Sequence, residues 1–249
     1  MASEFSNVAD DFYVNMNLQT TLAMPSGRET ILHFCEAVQK EFPSMSGFYH
    51  RESGQYVLEG DRESGSYKWL EIHPNRLCAG HFNPADIAEA KAMHDWLLER
   101  SVYYLGLGGL DVDCLDATFG FNLDYAGNRD AIVAQALLDG SPLGVLATEG
   151  PAQTIECEPN FVVALDEQCY RQARLSVETR GSSYQVRSGR YDPEPISVHF
   201  TIRQYPVPGK LLNIRESFAR QMTLCESLVE RVAIPQVLHP LAAAIAAGQ

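Results

Sequence analysis

The sequence predicts an α+β protein made of two tandem halves, each an antiparallel sheet with helices on one face. Three observations carry this. Apolar residues recur with a period of two in some segments and at helical spacing in others. The two kinds of segment alternate along the chain as strand, helix, strands, helix, and then in the same order again. Weak echoes relate the halves: Met16-Asn17-Leu18-Gln19 ahead of Gly27 and Ile31 is matched by Phe121-Asn122-Leu123-Asp124 ahead of Gly127 and Ile132.

Taken in order, Phe12, Val14, Met16 and Leu18 face one way and Tyr13, Asn15, Asn17 and Gln19 the other, as in a strand with one wet side. A helix is expected from Ser26, where Glu29 completes a Ser-x-x-Glu capping box, through Ile31, Leu32, Cys35 and Val38 to Pro43. Gly47 to Gly60 and Gly65 to Ala79 read as strands around the polar turn Asp61-Arg62-Glu63-Ser64. The second helix opens on Asn83 as cap and Pro84 at its first position, with Ile87, Ala90, His94, Leu97 and Leu98 as its inner stripe.

Gly106, Gly108 and Gly109 cluster where the halves are expected to join, dividing the chain into 1–105 and 106–249. In the second half, Asp116 to Tyr125 repeats the opening strand pattern, and a short helix runs from Asn128 to Asp139 with Gly140 to end it. Asn160 to Arg180, Ser183 to Arg190 and Pro195 to Tyr205 read as β structure. A long helix from Lys210 to Val232 carries Leu211, Ile214, Phe218, Met222, Cys225 and Val229 on one face, with Pro235 beyond its end.

The element order of each half resembles a split β-α-β unit, as in ferredoxin-like folds. Helices would bury one face of each sheet, and two such halves can close their open faces on each other as an intramolecular dimeric α+β barrel.

With 249 residues, 45% apolar and 20% charged, the composition excludes a disordered or collagen-like chain. The net charge of −13 speaks against nucleic acid or an anionic membrane as partner. That charge is unevenly placed: residues 1–165 carry −15 and residues 166–249 carry +2. The arginines from Arg171 to Arg203, interleaved with Tyr170, Tyr184 and Tyr191, are the one feature that points toward RNA, and no recognition motif accompanies them. No segment approaches the roughly 18 apolar residues of a membrane span. Met1 to Asp11 lacks the basic and apolar regions of a secretory signal, so a soluble cytoplasmic protein is expected, as monomer or homodimer.

Motifs for chemistry are few. The six cysteines include no Cys-x-x-Cys and are expected to be reduced core residues. Gly106-Leu107-Gly108-Gly109 has Asp111 where a dinucleotide loop needs its third glycine. Asp111, Asp113 and Asp116 lack the spacing of a calcium loop and read as solvated carboxylates. No metal site or cofactor is expected; haem, known on dimeric α+β barrels, would need an axial histidine such as His94.

Three strands stand apart because their outward sets converge on one kind of chemistry. Ser197, His199, Thr201 and Arg203 lie opposite the apolar Ile196, Val198, Phe200 and Ile202, while Arg174, Ser176, Glu178 and Arg180 lie opposite Leu175 and Val177. In the first half Tyr67, Trp69, Glu71 and His73 share one side of a strand. Arginine binds carboxylate or phosphate through two parallel hydrogen bonds, and Trp or Tyr supplies stacking area. Arg174, Arg203, Tyr67, Trp69, Glu71 and His73 are therefore the candidate ligand-binding residues, and Glu178 with His199 a candidate acid–base pair. The expected function is a non-enzymatic module that binds a small ligand or a protein partner. The alternative is an enzyme acting on a small polar or anionic metabolite in a cleft between the sheets.

Overall fold

The computed structural model describes Phe5 and residues 7–248. The chain forms β1 (Asp11–Thr20), α1 (Arg28–Glu41), β2 (Gly47–His50), β3 (Tyr56–Glu59), β4 (Tyr67–His73), β5 (Arg76–Phe82) and α2 (Ile87–Leu105). It continues as β6 (Val112–Leu123), α3 (Arg129–Leu138), β7 (Asn160–Ala164), β8 (Arg171–Glu178), α4 (Ser183–Ser188), β9 (Ile196–Gln204), α5 (Ile214–Leu228) and α6 (His239–Gly248). The strands make one nine-stranded sheet in the order β2-β3-β4-β5-β1-β6-β9-β8-β7. Every neighbouring pair is antiparallel. The fold is α+β.

The two separate sheets expected for the halves are instead one. β1 and β6 pair along almost their whole lengths, from Asp11 opposite Asn122 to Gln19 opposite Cys114. The pairing sets Phe12 beside Phe121, Val14 beside Phe119 and Leu18 beside Leu115, all buried. Joining edge to edge satisfies the backbone groups of two long strands that would otherwise be open edges, and it merges two apolar faces under one helix layer. Phe5, Phe12, Phe119 and Phe121 cluster there, with ring centroids 4.7 Å apart for Phe5–Phe12 and 5.2 Å for Phe12–Phe121. Each such buried side chain contributes about 1.5–3 kcal/mol.

Several local expectations are corrected by tertiary contacts. α1 starts one residue later than a Ser26 cap would place it, with Gly27 at the cap and no side-chain bond there. α2 is capped by Asp86, whose carboxylate accepts from the Ala88 N–H. Asn83 is withdrawn from that role because its side chain accepts from the Phe12 N–H and donates to Asp11. Each of the two long strand segments of the first half folds into a hairpin, β2–β3 and β4–β5. Ser183 to Ser188 is helical, because the Ser182 hydroxyl accepts from the Gln185 N–H and Gly189 ends the turn at φ 65°. Beyond α5 the helix widens into a π turn, Val229–Leu238, which takes up Pro235 and continues as α6. Three or more strands, where a split β-α-β unit has two, separate the helices of each half.

The run Ile214–Gly248 is the one helix among the described residues long and apolar enough, by length and composition, to cross a membrane. Its buried side chains, among them Phe218, Met222, Leu238 and Leu241, belong to the core, and α6 packs on α3. Five cysteines are buried as expected, whereas Cys169 is exposed in the β7–β8 turn. His94 lies fully buried in the helix–sheet core, its ring edge-on to Phe218 at 5.4 Å, on the side away from the sheet's open face.

Candidate functional site

Strand alternation sends the residues opposite the core to a single surface, and the β1–β6 junction makes that surface continuous across both halves. Registers fix the rows. Tyr67, Phe82, Tyr13, Gly120, His199 and Ser176 form one row across the sheet. Trp69, Gly80, Asn15, Thr118, Thr201 and Arg174 form the next, and Glu71, Cys78, Asn17, Asp116, Arg203 and Gln172 the third. All eight sequence-predicted site residues therefore share one face.

The face is concave. A cavity of about 340 Å³ is lined by side chains from seven strands, from Trp69 on β4 to Val162 on β7. Laid flat, those strands would span roughly 29 Å at ~4.8 Å per interval. Only a sheet curled into a trough brings both ends to one cavity of that size.

Trp69, Glu71, Arg174 and Arg203 line this cavity, joined by Asn15, Asn17, Arg76, Asp116, Thr118 and Thr201. Arg203 grips Asp116 with two hydrogen bonds, Nε to Oδ1 and Nη2 to Oδ2, both 2.7 Å. These bonds hold the guanidinium well above its usual range, against burial, which lowers it. Asp116 is thus a buried partner in the trough floor, not a solvated loop carboxylate. Asp111 does lie outside, bonding Thr21 and the Leu22 N–H.

Glu71 is held by Arg51 at 2.9 Å and by His73 Nε2 at 3.1 Å. Burial and the Arg76 cation push the His73 pKa down, against Glu71, so the ring is neutral at pH 7. Arg76 rests on that ring at 3.2 Å. Among the described residues neither Arg76 nor Arg174 has a carboxylate within 4.0 Å.

Glu178 and His199 are brought together outside that cavity. His199 Nδ1 stands 3.6 Å from Glu178 Oε1, and Nε2 stands 2.7 Å from the Tyr13 hydroxyl. Burial lowers the His199 pKa against the pull of Glu178, and burial raises that of Tyr13. In the neutral ring Tyr13 donates to Nε2, which leaves the proton on Nδ1, facing Glu178 at a distance too long for a direct hydrogen bond. His199 positions Tyr13.

Tyr67 belongs to a second cavity of about 380 Å³, lined also by Trp69, Phe82, Tyr13, Asn15 and Arg180. Arg180 is held there at φ 53°, a left-handed backbone that few non-glycine residues adopt. Glu158 over-determines it by accepting the Thr179 and Arg180 N–H groups. These bonds lower the Glu158 pKa despite burial, which raises it.

Sequence reasoning missed Asp116, Arg76 and Tyr13. Two glycines carried a usable signal. Gly80 and Gly120 sit singly inside strands, where glycine marks close approach by another group. A Cβ at Gly80 would overlap Asn15 and the Trp69 indole, and one at Gly120 would overlap the Tyr13 ring. No protein-family model matches this chain, and no curated protein matches it.

Proposed function

We propose that this is a non-enzymatic binding protein whose concave sheet face takes a small, acceptor-rich anion such as a carboxylate or phosphate. One observation carries the reading: three guanidinium groups line the cavity and only Arg203 is neutralised by a carboxylate. Arg174, and Arg76 beyond its Nη2 contact with His73, keep donors for a ligand, and the floor adds the Asn17 amide and the one hydroxyl proton that the Thr118–Thr201 hydrogen bond leaves free. The enzyme alternative rests on His199, which lies between Tyr13 and Glu178 as a general base would, but outside the cavity that the free arginines line.

Calorimetric titration of the full chain with ethyl phosphate and with succinate tests the reading. Binding of either probe that weakens at least tenfold in Arg174→Gln, and not in the remote Arg220→Gln, is expected. No binding of either probe, or equal affinity in Arg174→Gln, overturns it.

We infer further that the chain arose from a duplicated unit. In support, the strand order outward from the centre is β1-β5-β4-β3-β2 in one half and β6-β9-β8-β7 in the other, so each half sets its last strand beside its first, and the halves differ by one strand. Each half places a helix after its first strand and another after its last. A relation of this unit to ferredoxin-like folds rests on the alternation of strands and helices alone.

A further inference from the structure

The two cavities of the trough share Asn15 and Trp69, so they are neighbouring compartments of one groove. Their chemistries differ. The first is ringed by arginines. The second has an aromatic floor, where Tyr67 lies 5.1 Å from Phe82 and 25° from parallel, and Phe82 lies 5.9 Å from Tyr13 at 13°. The indole of Trp69 lies over Gly80 and the ring of Tyr13 over Gly120, positions at which any side chain would block them. All four rings are half-buried and keep surface toward the groove. At the far side, Arg180 Nη1 donates to Ser197 at 3.0 Å, and the Ser197 hydroxyl donates to Asn122 at 2.9 Å, leaving a polar rim above the rings.

Resting on the anion-binding reading above, we propose that this aromatic compartment is a second subsite, and that the ligand is a ring-bearing anion. Its flat ring sits on Tyr67, Phe82 and Trp69, and its charged group sits at Arg174. Tyr67, Phe82 and Tyr13 already stack on one another, so the ligand ring meets their edges, a contact that favours a planar aromatic over an aliphatic chain of equal size. Trp69 and Asn15 line both compartments, and Trp69 faces Arg174 across the first, so a short flexible linker carries the ligand from its ring to its charged group.

The test compares 2-phenylethyl phosphate with ethyl phosphate, which carry the same charged group with and without a ring. Calorimetry on the full chain is expected to show 2-phenylethyl phosphate binding at least tenfold tighter. In Phe82→Leu and in Tyr67→Leu, which keep apolar bulk and remove the ring, the ratio falls to within about twofold while the affinity for ethyl phosphate stays unchanged. Equal affinity for the two phosphates in the native chain overturns the subsite and leaves the anion site standing. A preference that survives both leucine variants overturns it as well, since the ring then binds elsewhere. If neither phosphate binds, this proposal falls, and the anion reading falls with it only if succinate does not bind either.

Discussion

Replacing His94 by leucine should remove much of the protein's sensitivity to acid. His94 is fully buried on α2, its ring edge-on to Phe218, and neither ring nitrogen reaches a partner at hydrogen-bonding geometry. Burial pushes its pKa down to about 3; the neighbouring His81 adds to the fall, and the Ala79 backbone only slightly opposes it. His81, buried on the core side of β5, is pushed down to about 4 by burial and then by Lys68. In the unfolded chain both titrate near 6.5.

Between those values and 6.5 the unfolded chain binds protons that the folded chain refuses. Stability is therefore complete above about pH 6.5 and is lost as pH falls below it. From pH 7 to pH 5 each histidine costs about 2 kcal/mol, or about 4 kcal/mol for the pair. His94→Leu, close in volume, should cut the loss by about 2 kcal/mol and should not destabilise the protein at pH 7, because it removes a buried imidazole left without partners. Urea unfolding at pH 7 and pH 5, read by circular dichroism, measures the difference. An identical loss in the native chain and in His94→Leu would refute the assignment of a neutral, excluded histidine.

Two further outcomes follow from the trough floor. Arg203→Leu leaves the Asp116 carboxylate, whose side chain is 7% exposed, without a cation and should cost about 3 kcal/mol in urea unfolding. Asp116→Asn should cost less, because the Arg203 side chain is 28% exposed and can reach water; the reverse order would contradict the burial pattern. Gly120→Ala forces the Tyr13 ring off β6 and should cost about 1–3 kcal/mol. Combined with Tyr13→Ala most of that cost should vanish, so a double-mutant cycle that comes out additive would show that the ring is not what the glycine accommodates.

Much of the site was legible in sequence because a strand's alternation is local. The outward sets of β4, β8 and β9 were readable from Tyr67-x-Trp69-x-Glu71-x-His73, Arg174-x-Ser176-x-Glu178 and Ser197-x-His199-x-Thr201-x-Arg203, and all point to the open face. The pairing that puts Arg203 on Asp116 spans 87 residues, so no local pattern reveals it. Asp116 looked like a loop residue because Asp111 and Asp113 precede it, yet it lies within β6, where both faces are largely buried. Tyr13 was read as a wet-face residue, and its role depends on Gly120 and His199 in strands far along the chain.

By itself the sequence determined which side of most strands and helices is greasy, the alternation of strands and helices, and the absence of known catalytic motifs. Those depend on residue spacing within a few turns or pleats, which backbone geometry enforces locally. Only the tertiary structure decided that the halves share one sheet, that the sheet curls, and that arginines and aromatic rings from both halves line a common groove. Strand partners and sheet curvature arise from contacts between segments distant in sequence, and a pattern confined to one segment carries no record of which neighbour it will meet.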